Sequence, residues 1–165
     1  MKKRKTQIAV ATALSLVMAS TSLLAVGKDK AMYVGGTIPG VSEKAEGRVN
    51  TSDDKALRFV GEDGSIVEIA YRSISELEYG QKAGRRVAMA VLVSPWALLS
   101  KKRNHYLTIT YKDRGGKQQA GVFELGKDIV RTTLKVLEVR TGREIEFQDA
   151  EACKQYKTPK ECEAQ

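Results

Sequence analysis

The chain has 165 residues and a formal charge of +8, with 42% hydrophobic and 29% charged residues, one histidine and two cysteines. That length suits one domain with a single buried core. One histidine leaves no pair at metal-ligand spacing, and half of the net charge comes from Lys2, Lys3, Arg4 and Lys5, so the remaining excess is too mild to point to nucleic acid.

Those four cations open a pattern of their own. An uncharged run of small and apolar residues follows over 8–25, and Lys28, Asp29 and Lys30 end it. A basic start, an apolar stretch and a small-residue end form a secretory signal. The expected leader is 1–27, cut after Ala25-Val26-Gly27. A cut before Ser20 also satisfies the small-residue rule. The expected location is periplasmic or secreted; the alternative is an uncleaved leader that anchors the chain in the inner membrane.

Residues 28–47 carry Gly35, Gly36, Pro39 and Gly40 and read as an extended lead-in with turns. The main domain is expected over 48–147. Leu57 and Phe59 alternate with polar neighbours, and Val67, Ile69 and Tyr71 share one parity opposite Glu68 and Ala70. The turn residues at 61–64 join the two runs as a hairpin. Around Ile74, Leu77 and Tyr79 the period breaks once, which suggests a turn or bulge before a short strand.

Val87, Met89, Val91 and Val93 suggest another strand, ended by Ser94-Pro95. Next, Leu107, Ile109 and Tyr111 alternate with Tyr106, Thr108 and Thr110, and the latter row is expected to face solvent. The turn at 113–117 then leads to a partner strand over 117–125. From Asp128, an expected N-cap, the period becomes helical over 129–141. Val130, Leu134 and Leu137 form its stripe, and Gly142 supplies the stop. Ile145 and Phe147 alternate briefly. The polar tail 148–165 holds Cys153 and Cys162, a close pair that reads as a disulfide stapling a fraying end.

Antiparallel strands followed by one amphipathic helix give an α+β, mostly β, fold: a bent sheet or partly open barrel with the helix over one face or end. This order is similar to the pleckstrin-homology-like (PH-like) superfold. More narrowly, the chain resembles exported bacterial proteins of acidobacterial type. The resemblance rests on YVGGT at 33–37, EYGQK at 78–82, SKKR and HYLTI within 100–109, and FELGKD at 123–128. It implies a PH-like domain and assigns no activity. The superfold's best-known ligand, a phosphoinositide, needs close basic residues across the first two strands. Here Asp53 and Asp54 separate Arg48 from Lys55, so that ligand is not carried over.

No nucleophile elbow, phosphate loop or cofactor fingerprint occurs. Any Ser–His–Asp chemistry would need His105, beside the cations Lys101, Lys102 and Arg103. The one composite feature is the stretch 94–105. Trp96, Leu98 and Leu99 suit a bilayer interface or a partner, and Lys101, Lys102 and Arg103 suit anionic headgroups. The plainer alternative has the three apolar residues plugging the barrel end. The expected function is a non-enzymatic envelope module that contacts a protein partner or an anionic membrane surface, without cofactor or metal. The alternatives are a small-ligand carrier with a cavity lined by Leu57, Val67, Val91 and Leu107, and a hydrolase using His105.

Overall fold

The computed structural model describes residues 30–81 and 104–163. The fold is α+β and mostly β: eight strands form one curled sheet, a half-barrel, with helices at its C-terminal side. The strands are β1 (Lys30–Gly36), β2 (Ala45–Asn50), β3 (Ala56–Gly61), β4 (Ile66–Ala70), β5 (Ile74–Gly80), β6 (His105–Lys112), β7 (Gln118–Leu125) and β8 (Ile145–Phe147). The helices are α1 (Val130–Thr141), α2 (Ala150–Tyr156) and α3 (Pro159–Glu163).

The spatial order is β4-β3-β2-β1-β7-β6-β5-β8. Two antiparallel meanders, β1–β4 and β5–β7, therefore meet where β1 pairs with β7. The stretch 28–47, read as an extended lead-in, supplies β1 to the middle of the sheet. Its glycines hid that role, because alternation is hard to see in GGT. Short β8 adds to β5 in parallel, pairing Leu77 with Ile145.

Curling follows from aromatic packing. Phe59 on β3 and Phe123 on β7 have ring centroids 5.5 Å apart. Three strand spacings separate them in the sheet order, about 14 Å if the sheet were flat. The bend passes over Gly47, where a Cβ would meet Val60 O at 2.3 Å and Phe59 Cζ at 2.8 Å. Tyr33 adds a second tilted contact to Phe123 at 5.5 Å.

Helix α1 closes the concave side. Its buried residues are Val130, Thr133, Leu134 and Leu137, at the three-and-four spacing of one helix face. Val130, Leu134 and Leu137 share one core with Leu57, Ile69, Leu107 and Ile109. Gly142 ends α1 in the left-handed region, φ 64°, and its N–H bonds Glu138 O. Asp128 does not cap the helix. The N-cap is Ile129, with no side-chain cap bond. A turn closed by Ile129 N to Gly126 O takes up the preceding residues and holds Asp128 one position too early.

Two further expectations are corrected. Tyr106, Thr108 and Thr110 are buried, at 4%, 3% and 6% exposure, instead of facing solvent. Tyr106 joins Val34 and Val122 in a second cluster on the other face of the sheet from Leu107 and Ile109. Alternation separated the two faces correctly, but an uncharged row does not report whether water reaches it. The tail is also more ordered than its polarity suggests. Asp149 caps α2 through Ala152 N, and Ala152 reaches the main core. Cys153 and Cys162 are disulfide-bonded, joining α2 to α3. Such a bond is compatible with an oxidising compartment. No helix among the described residues is long and apolar enough to cross a membrane.

Candidate functional site

The strand connections 51–55, 71–73 and 113–117 lie at one end of the sheet, and the C-terminus of α1 arrives there. A short 3-10 turn, Tyr71–Ser73, makes the middle connection. Together they frame a cleft of about 880 Å³ lined by Lys55, Arg72, Lys112, Arg114 and Arg140, with Asp54, Glu68 and Asp113 among its acids.

Each acid is already occupied. Asp113 accepts from Gln119 Nε2 at 2.8 Å and from the N–H groups of Gly115 and Lys117 at 2.9 Å. These bonds, Gln119 first, hold its carboxyl below the usual range. Glu68 accepts from Arg58 Nε at 3.0 Å. Asp54 accepts from Arg140 Nη2 at 2.9 Å. The cations differ. Arg72, Lys112 and Arg114 form no ion pair or side-chain hydrogen bond among the described residues, and all three are exposed.

Arg140 organises the cleft. Its Nη1 donates to Thr51 O, Asp53 O and Tyr71 Oη. Its guanidinium also lies 5.3 Å from the Tyr71 ring centroid. One side chain from α1 thus fastens the β2–β3 loop and the β4–β5 turn. Asp53 fixes the same loop from within. It accepts from Lys55 N at 2.7 Å and Ala56 N at 3.2 Å, and the first of these bonds is the main reason its carboxyl is lowered.

The residues singled out from sequence fall in several places. Trp96, Leu98, Leu99, Lys101, Lys102 and Arg103 lie outside the described residues, as do Val91, the strand expected over 86–93 and the leader 1–27. Arg48 and Lys55 are not brought together. Lys55 lines the cleft, whereas Arg48 lines a separate groove with Glu46, Glu62 and Glu124. Leu57, Val67 and Leu107 are packed at 0%, 5% and 0% exposure in the core that α1 fills.

His105 faces Tyr79, whose Oη lies 2.6 Å from its Nδ1, and the two rings stack. Tyr79 Oη also donates to Gln155 Oε1 at 3.3 Å. Burial, then nearby Lys127, pushes the imidazole below its ordinary pKa. Burial pushes the Tyr79 phenol up to about 12. The pair acts as a neutral polar tie between the sheet and α2. The groups that histidine-based acyl transfer needs, a nucleophile and an orienting carboxylate, are not among its hydrogen-bond partners in the described residues.

Sequence reasoning missed Arg72, Lys112, Arg114 and Arg140 as a group, because 68 positions of chain separate the first from the last. Only the strand order assembles them. No protein-family model matches the chain, and no curated protein matches it.

Proposed function

We propose that the chain is an exported, non-enzymatic binding module of the cell envelope that contacts an anionic membrane surface through this cleft. One observation carries the reading: the acids of the cleft are engaged, while Arg72, Lys112 and Arg114 are not. Unpaired cations on two neighbouring connections and at the end of β6 create a positive potential that anionic headgroups neutralise. The disulfide supports an extracytoplasmic location, together with the leader-like start of the sequence. The two meanders and the helix that follows support the likeness to PH-like domains.

The reading is tested by co-sedimenting the purified protein with phosphatidylglycerol and with phosphatidylcholine vesicles at low and high salt. Each basic residue near an anionic surface contributes about 1 kcal/mol. Reversing Arg72, Lys112 and Arg114 together to Glu is therefore expected to weaken phosphatidylglycerol binding by at least about a hundredfold, without changing the melting temperature. Absence of binding at low salt overturns the lipid reading and directs the search to an acidic protein partner.

A further inference from the structure

Two adjacent acids on the β2–β3 loop have different attachments. Asp53 is built into the loop by two backbone N–H groups and lies 3.8 Å from Arg58 Nη2. The side chain of Asp54 is 90% exposed, and its contact in the structure is the ion pair with Arg140 Nη2. Arg140 does not depend on that pair for its position. Its Nη1 serves Thr51 O, Asp53 O and Tyr71 Oη, and its guanidinium lies over the Tyr71 ring. Nη2 is the half of the guanidinium that an outside anion could use, and Asp54 Oδ1 takes one of its hydrogens and crowds its approach.

We propose that Asp54 is a built-in competitor for the cleft: its carboxylate holds the place on Arg140 that an anionic lipid headgroup takes when the protein docks. This rests on the reading of the cleft as the contact with an anionic surface. Exposed ion pairs are weak and exchange readily. Displacing Asp54 leaves α1 fastened to both connections through Nη1. Docking frees Nη2 for a headgroup oxygen and returns the Asp54 carboxylate to water. The undocked cleft therefore carries a lower net positive charge than its arginines and lysines would give. The competition sets an affinity threshold: only a surface dense enough in negative charge displaces the internal carboxylate.

The experiment compares wild type, Asp54→Asn and Glu62→Gln on phosphatidylglycerol vesicles. Glu62 is an exposed acid in the β3–β4 turn, at the opposite end of β3 from the cleft. Its substitution removes the same charge and so corrects for net charge alone. Asp54→Asn is expected to bind about fivefold more tightly than Glu62→Gln, the scale of one exposed ion pair, with an unchanged melting temperature. Binding by Asp54→Asn at salt concentrations that release wild type also supports the competitor. Equal binding by the two variants, with wild type still binding, overturns the competitor and leaves the surface reading standing. A marked fall in the melting temperature of Asp54→Asn overturns it too, because the acid would then be a structural fastening. Failure of all three proteins to bind overturns both readings.

Discussion

The phenol oxygen of Tyr79 lies 2.6 Å from Nδ1 of His105, and the ring planes are 8° apart at a centroid distance of 6.1 Å. Tyr79 is fully buried, and Gln155 reaches it from α2. Burial, followed by the positive charge of Lys127, holds the His105 pKa below its ordinary value of 6.5. The unfolded chain therefore takes up this proton more readily than the folded one. The stabilisation is fully present above about pH 6.5 and is lost as pH falls through the folded value. Glu124, raised from 4.5 by burial, acts in the opposite direction near its own pKa, but it is common to any pair of proteins compared. The melting temperature of wild type is expected to fall more steeply than that of His105→Gln between pH 7 and 5. Parallel curves would show that the imidazole titrates normally.

Arg140 is the joint between α1 and two strand connections. Four acceptors on 51–54 and Tyr71 share its guanidinium, and it is partly buried. Truncation strips donors from loop carbonyls and from the Tyr71 phenol. Bonds to charged groups contribute roughly 1.5–3 kcal/mol net, so Arg140→Met is expected to lose about 2–3 kcal/mol in urea unfolding. Arg140→Lys should recover only part of it, because a single ammonium cannot serve both nitrogen positions of the fork. Full recovery by Lys would show that charge alone holds the loops.

Much of the fold was legible because its signals are local. Val67, Ile69 and Tyr71 alternate with Glu68 and Ala70, and the structure buries the first set on β4 and the following turn. The helix stripe and the Gly142 stop were equally plain, as was the pairing of two cysteines so close in sequence. What escaped depends on distance in sequence. β1 becomes central only through pairing with β7, and Gly35 and Gly36 carry no hydrophobic pattern to announce it. The burial of Thr108 depends on what lies over the outer face, which its own strand cannot reveal. The cleft has no motif at all: Arg72, Lys112, Arg114 and Arg140 come from four separate elements or connections.

Leu134 is fully buried against the sheet, on the stripe shared by Val130 and Leu137. Leu134→Ala removes methyl groups from a packed core and is expected to cost about 2–5 kcal/mol. Leu134→Asp places a carboxylate there instead and is expected to prevent cooperative folding. Circular dichroism melts check both. An unchanged melting temperature in either variant would place the stripe outside the core.

The disulfide ties α2 to α3, and α2 also delivers Gln155 to Tyr79 and Tyr156 to Glu138. Closing so short a loop stabilises by about 2–3 kcal/mol. Replacing both cysteines by Ala is expected to lower stability by that amount. The larger local effect should be faster amide exchange over 150–163 than over the sheet, because the linked tail segments lose a shared constraint. Exchange that rises uniformly would indicate that the tail unfolds only with the whole domain.

Gly47 of β2 pairs with Gly61 of β3 and lies close against the β3 backbone. An added Cβ would stand 2.3 Å from Val60 O, 2.8 Å from Phe59 Cζ and 2.9 Å from Gly61 Cα. Two of these three neighbours are backbone, so the obstruction cannot be relieved by a rotamer change. Overpacking of this kind typically costs about 1–3 kcal/mol, and Gly47→Ala is expected to fall in that range in urea unfolding. Phe59→Leu in the same chain removes the ring contact but leaves the carbonyl of Val60 in place. It also removes the Phe59–Phe123 packing that draws the two meanders together. The double variant should therefore be less stable than Gly47→Ala. A double variant more stable than Gly47→Ala would show instead that the ring, and not the β3 backbone, requires glycine at the bend.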